Sequence, residues 1–71
     1  MENKIEFKII GDYIELMALL KALSIAQTGG HAKMIVDDGE VKRNGVVELR
    51  RRAKCIPGDV IKVDGSNITL L

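Results

Sequence analysis

Thr28 to Asp64, TGGHAKMIVDDGEVKRNGVVELRRRAKCIPGDVIKVD, contains the signals that decide this fold. Thr28 is a suitable N-cap, because its hydroxyl can accept from an amide of the first turn. It predicts a short helix over about Gly29 to Asp38, with Ala32, Ile35 and Val36 facing inward at i, i+3 and i+4 and Gly39 ending it. Glu40 to Arg43 and Val46 to Leu49 then flank Asn44-Gly45. Asn-Gly is the strongest short-range hairpin signal, since a type I′ turn needs positive φ at both central residues. Pro57-Gly58 makes a further turn, and Val60 to Val63 reads as a strand.

Outward from this stretch, Asn67 to Leu71 reads as a closing strand, separated from the previous one by Asp64-Gly65-Ser66. Toward the N-terminus, Lys4 to Ile10 alternates Ile5, Phe7 and Ile9 with Glu6 and Lys8, the period of a half-buried strand, and Gly11 ends it. Asp12 followed by Glu15 is a loose capping box and predicts a helix over Tyr13 to Ala26. That helix is apolar over most of its circumference, with Lys21, Ser24 and Thr28 as a narrow polar stripe. The elements add up to an α+β domain, two helices packed on a small, mostly antiparallel sheet. No repeat, linker or low-complexity tract divides it, so residues 1–71 are expected to form a single domain.

Charge is unevenly placed. Lys42 to Lys54 holds six Lys/Arg against the single acid Glu48, leaving five basic and nine acidic residues elsewhere in a chain whose net charge is +1. A near-neutral total thus hides a local cationic surface, the footprint of a protein that docks on phosphates. Only 3 % of the residues are Phe, Trp or Tyr, which argues against a single-strand binder built on stacked bases and favours phosphate and shape readout.

At 71 residues, folding buries only roughly 60 to 65 % of the unfolded chain's surface. One His, one Cys and no acidic pair at a telling spacing leave no catalytic constellation, so no enzymatic activity is expected. Cys55 stands alone, and neither an intramolecular disulfide nor a cysteine zinc site can form. A reducing cytoplasm is the simplest location. MENKIEFKIIGD has charges within its apolar run and no cleavage-like segment, and no stretch approaches the ~18 apolar residues of a membrane span.

Arg50, Arg51, Arg52 and Lys54 are candidates for a phosphate-binding strip, because guanidinium forks pair bidentately with phosphate oxygens. Their plainer role is that of a solvated loop. Thr28, Gly29, Gly30 and His31 can present helix N-terminal amides to a phosphate, with Lys33 adding charge; the same segment also serves as a tight connection between helices. His31 has no second His or thiolate pair beside it, so no metal site is expected. Lys42 and Arg43 flank the hairpin turn, where adjacent side chains point to opposite faces; only one can share the surface of the arginine run, and Arg43 is the expected one. Asn44-Gly45 and Pro57-Gly58-Asp59 read as structural turns, and Cys55 as a small buried hydrophobe.

With these elements placed, Ala26 to Gly45, AQTGGHAKMIVDDGEVKRNG, and Ile56 to Val63, IPGDVIKV, resemble the domain named for small-subunit ribosomal protein four, here the S-four domain. The resemblance covers about Tyr13 to Val63, and order, spacing and turn residues agree together. The extra N-terminal strand and the Gly29-Gly30 form are most similar to the small stand-alone bacterial proteins of the YbcJ type. Departures are Tyr13-Ile14-Glu15 for the usual Arg-Leu-Asp, Gly29 for an Arg, and Arg43 for the apolar residue before Asn-Gly.

The resemblance implies the S-four fold with its αL motif and a non-enzymatic role in binding structured RNA, with ribosomal RNA or the ribosome as the expected partner and translation as the expected setting. It implies no cofactor, no small-molecule substrate and no membrane. Thr28, Gly29, Gly30, His31, Lys33, Lys42, Arg43, Arg50, Arg51, Arg52 and Lys54 are the expected RNA-binding residues. Two rival readings are a protein-interaction module acting through the apolar first helix, at Leu16 or Leu20, and a DNA-binding module, which phosphate contacts alone do not distinguish.

Overall fold

The computed structural model describes residues 3–71. Met1 and Glu2, which the single-domain expectation includes, lie outside the described residues. In chain order the elements are β1 (Asn3–Phe7), β2 (Ile14–Glu15), α1 (Leu16–Ala22), α2 (Gly29–Asp37), β3 (Lys42–Arg43), β4 (Val46–Val47), β5 (Lys54–Cys55), β6 (Val60–Val63) and β7 (Ser66–Leu70). The result is two helices with a mostly antiparallel sheet, as the sequence signals require.

The five-stranded sheet has the order β1-β7-β6-β3-β4, and a second ladder joins β2 to β5. Within the larger sheet only the β1–β7 pair is parallel; Ile5 lies beside Ile68 and Phe7 beside Leu70. Alternation then sorts β6 and β7 cleanly, with Ile61, Val63, Ile68 and Leu70 buried and Lys62 exposed. The buried strand face meets Leu16, Leu19 and Leu20 of α1 and Ala32, Ile35 and Val36 of α2 in one hydrophobic cluster with Val41 and Cys55.

Two-residue turns set the register. Asn44 and Gly45 have φ of 52° and 86°, both left-handed, as the type I′ hairpin between β3 and β4 demands. Asp64 and Gly65, at 52° and 70°, repeat the device between β6 and β7. Ser66, expected in this turn, instead pairs with Val63 and is buried. Thr28 caps α2 as expected, its Oγ1 accepting from the His31 amide at 3.0 Å.

The N-terminal half corrects three expectations. The first strand leaves the ladder after Phe7, although the Ile9 amide still donates to the Leu71 carbonyl at 2.9 Å. The capping box does not form: α1 begins at Leu16, its N-cap is Glu15, and no side chain caps it. Ile14 and Glu15 are drawn instead into antiparallel pairing with Cys55 and Lys54. That pairing brings two carbonyls to the helix start, where Leu16 N donates to Ala53 O at 2.9 Å and Met17 N to Arg51 O at 3.2 Å. The helix ends at Ala22 rather than Ala26; Ser24 takes φ 59°, and the amides of Ile25 and Ala26 both donate to Leu20 O.

Leu16 and Leu20 are fully buried, at 0 % exposure, so the apolar first helix offers no surplus surface at these positions for a protein partner. The helix turns Leu16, Leu19 and Leu20 into the core while Ala18, Lys21 and Ala22 are exposed. Among the described residues, no helix is long and apolar enough to cross a membrane.

Candidate functional site

Arg43 lies on β3 directly opposite Ile61 of β6, hence on the core side of the sheet, while Lys42 points to the other side. A guanidinium in this place needs carboxylates. Its Nε and Nη2 lie 2.9 and 2.8 Å from Asp59 Oδ2, its Nη1 is 3.5 Å from Glu48 Oε1, and Nη2 also donates to the Lys54 carbonyl at 2.9 Å. Asp59 further accepts from the Ile56 amide at 3.0 Å and from Asn44 Nδ2 at 2.9 Å, and Asn44 Oδ1 accepts from the Val60 amide at 2.9 Å. The two turns that the sequence presents as separate, Asn44-Gly45 and Pro57-Gly58-Asp59, are therefore tied together by side chains.

Burial works against the Arg43 charge, yet its hydrogen bond and attraction to Asp59 outweigh this and hold its pKa above the ordinary value. Burial likewise opposes the Asp59 carboxylate, but the Ile56 amide, Asn44 and Arg43 overcome it and lower its pKa. Glu48 is lowered chiefly by its hydrogen bond from Arg50, against the opposing effect of burial. Desolvation pushes the Cys55 thiol up, consistent with its complete burial.

Around this network the arginine run spreads outward. Arg50 donates through Nε and Nη2 to the two Glu48 oxygens, both at 3.1 Å. Arg52 Nε donates to Glu15 Oε2 at 3.1 Å, and the Arg52 side chain remains 85 % exposed. Lys54 Nζ stands 5.0 Å from the centroid of the Tyr13 ring, a cation–π distance. Arg43, Arg50, Arg52, Ala53 and Lys54 together line a concavity of about 440 Å³. Arg51 turns toward α2, where Nε and Nη2 lie 3.0 and 3.3 Å from the Asp37 carboxylate.

The expected residues at the start of α2 gather separately. His31 Nδ1 accepts from the Gln27 amide at 3.2 Å, and the ring lines a depression with Ile25, Ile35, Glu40, Val63 and Asp64. Amides in the first turn of a helix have no intrahelical acceptor. A Cβ at Gly29 would meet nothing within 4 Å and one at Gly30 only the Thr28 hydroxyl at 3.9 Å, and neither residue has a left-handed φ. Packing does not demand these glycines; what they leave is open access to the helix end. Lys33 is exposed on the next turn.

The structure thus brings Arg43, Arg50, Arg52 and Lys54 together, sets Arg51 against the end of α2, keeps Thr28 to Lys33 at its start and sends Lys42 to the far side of the sheet. Sequence reasoning missed the acids that hold these cations: Glu15, Asp37, Glu48 and Asp59. One signal was present. An Arg sharing strand parity with a core isoleucine requires a nearby carboxylate, and Asp59 follows the turn that precedes β6.

Comparison with known proteins adds a family. A family model described as the S4 domain matches residues 7–71. The Escherichia coli protein named "Putative RNA-binding protein YbcJ" is 32 % identical over 59 residues, covering 83 % of this chain and 84 % of that protein. A Shigella flexneri protein YbcJ, described as uncharacterized, matches to the same extent, 32 % over 59 residues. The solution structure of E. coli YbcJ, described as revealing an αL motif involved in RNA binding, superposes with a TM-score of 0.73 at 30 % identity, covering 100 % of this chain and 91 % of that one.

Proposed function

The chain belongs to the S4 domain family, and from that premise we propose that it binds structured RNA without chemistry, by docking the sugar–phosphate backbone on its Lys/Arg surface. The observation that carries the reading is the concavity in which Arg43, Arg50, Arg52 and Lys54 converge. Arg50 and Arg52 keep 75 % and 85 % of their side chains exposed while carboxylates hold their orientation. The Arg52–Glu15 pair is exposed, and such pairs contribute only about 0 to 1 kcal/mol, so an incoming phosphate can replace that carboxylate at small cost; Glu48 is buried, and a phosphate shares Arg50 with it. Arg43 is different: it organises the floor of the concavity, while Arg50, Arg52 and Lys54 make the contacts. Arg51 sits on the α2 side of the run, and Thr28, Gly29, Gly30, His31 and Lys33 offer amides and charge at the N-terminus of the same helix.

The E. coli relative's name and the αL description of its structure support RNA as the ligand. We infer that the target is ribosomal RNA or the ribosome, in the cytoplasm; among the described residues the arginine concavity has the Tyr13 ring beside it and the start of α2 has His31, a surface of phosphate contacts poor in stacking rings that suits the shape of a structured RNA more than base sequence. If five or six phosphates are neutralised, the log–log salt slope is roughly −3.5 to −5.5. Titration of a structured RNA and of duplex DNA at two salt concentrations tests the proposal. Tighter, salt-sensitive binding to RNA is expected; equal binding to both removes RNA preference, and no binding at low salt removes the proposal. Crosslinking in cells followed by sequencing of the bound RNA then tests the ribosomal target.

A further inference from the structure

The chain has one Phe, one Tyr and no Trp. Phe7 is half-buried against the core, whereas Tyr13 is 43 % exposed. It stands one residue before the short ladder in which Ile14 lies opposite Cys55 and Glu15 opposite Lys54. Ile14 and Cys55 pack inward, so alternation turns Tyr13, Glu15 and Lys54 outward together. The Lys54 ammonium lies 5.0 Å from the centroid of the Tyr13 ring, a diagonal contact of the kind that neighbouring strands allow.

Lys54 has a second neighbourhood. With Arg43, Arg50 and Arg52 it lines the arginine concavity, and Arg52 reaches back to Glu15 in the same outward row as Tyr13. The ring therefore borders the concavity and shares a lysine with it. Phosphates are held by the cations, and an exposed ring beside them offers what a phosphate does not use: a flat π-face. A single sugar separates a nucleotide's base from its phosphate, so one nucleotide spans both subsites. In a continuous duplex the faces of the bases are covered by their neighbours, and only an unpaired base is free to leave the stack. Base stacking on an aromatic side chain is stronger than the hold of an ammonium on an exposed ring, so an arriving base can displace Lys54, which then meets the phosphate.

We propose that Tyr13 is the stacking platform for one unpaired nucleobase, bulged from an RNA helix whose phosphates lie in the arginine concavity, with Lys54 moving from the ring to the phosphate. The proposal rests on the RNA reading above and narrows it. The preferred ligand is a helix interrupted by an unpaired nucleotide and not a continuous duplex. Stacking registers that a base is present and not which base it is, because every base has a π-face. Recognition through Tyr13 thus remains a reading of shape.

The test uses the whole chain and two RNA hairpins that share one single-nucleotide bulge, carrying adenine in the first and an abasic sugar in the second. Their charge and bend are matched, so a difference reports the base. The parent is expected to bind the adenine bulge about tenfold more tightly, the order of one base stacked on one ring. Tyr13→Leu, shown folded by circular dichroism, should bind both hairpins with the parent's affinity for the abasic one and with the parent's salt slope, since no charge is lost. Tyr13→Phe keeps a ring and should keep the preference. Three outcomes overturn the proposal while leaving the RNA reading intact: a parent that binds the two hairpins equally, a preference that survives in Tyr13→Leu, or a shallower slope in that variant, which would make the ring a mere support for Lys54. A parent that binds neither hairpin at low salt overturns both. Should Tyr13→Leu not fold, the parent alone decides: 5-iodouridine at the bulge is expected to photocrosslink to Tyr13, and a crosslink mapped elsewhere, or none, overturns the proposal.

Discussion

Glu48 and Asp59 are acids with 8 % and 7 % of their surface exposed, and both stay ionised because cations and amides surround them. Their pKa values are lowered on folding, so the unfolded state binds protons more readily than the native state in acid. The stability they contribute is fully present above the ordinary carboxylate range near pH 4 and is lost as pH falls through their lower native values. Urea melts at pH 7, 5 and 3 should show little change between the first two and a marked drop at the third. In a Glu48→Gln, Asp59→Asn variant that drop should be smaller although stability at pH 7 is lower; an equal drop would assign the acid sensitivity to other groups. Gly45 holds a left-handed conformation that branched residues adopt poorly. At φ 86° a β-branched side chain clashes with its own backbone even though a Cβ there meets no neighbour within 4 Å. Gly45→Val should therefore cost on the order of 1 to 3 kcal/mol in a denaturant melt, through the turn alone.

At the scale of elements, what was legible is what is local. Asn44-Gly45 and Thr28 each act on neighbours within a few residues, and both turn and cap stand where their residue types place them. What was not legible depends on partners remote in the chain. The start of α1 carries a local signal in Asp12 and Glu15, yet the strand pairing of Ile14 and Glu15 with Cys55 and Lys54 overrides it, and carbonyls 35 or so residues away serve the first amides. Glu15 is spent on Arg52 and not on the helix backbone. The contrast is measurable. Thr28→Ala should lose about 1 kcal/mol, the usual effect of removing a cap that accepts from the first turn. Asp12→Ala should change stability by less than about 0.5 kcal/mol, since Asp12 is exposed and caps nothing. Equal losses from the two substitutions would restore the capping box.

For the whole molecule, the charge asymmetry of Lys42 to Lys54 foretold a cationic surface, but neither its division between two faces of the sheet nor its internal acids. Strand parity separates Lys42 from Arg43, and the fold supplies Glu15 to Arg52 and Asp37 to Arg51 from elements that linear reading keeps apart, while Glu48 meets Arg50 two residues along the same segment. These acids change how the surface must be probed. Reversing Arg51 or Arg52 to Glu would oppose Asp37 or Glu15 and mix repulsion with loss of contact, whereas Gln removes charge and keeps length. Arg50→Gln with Arg52→Gln takes two cations from the concavity while Arg43 continues to bind Asp59 beneath it. If each arginine neutralises one phosphate, the log–log salt slope for a structured RNA should become shallower by about 1.4 to 1.8, with affinity falling most at low salt. The melt should fall more through Arg50→Gln than through Arg52→Gln, because Arg50 is the leading partner of the buried Glu48 carboxylate whereas the Arg52–Glu15 pair is exposed. Lost affinity with an unchanged slope would mean that the two arginines act through folding or shape and not as phosphate contacts. An unchanged affinity would leave the concavity without a role in binding and shift the RNA surface to the start of α2.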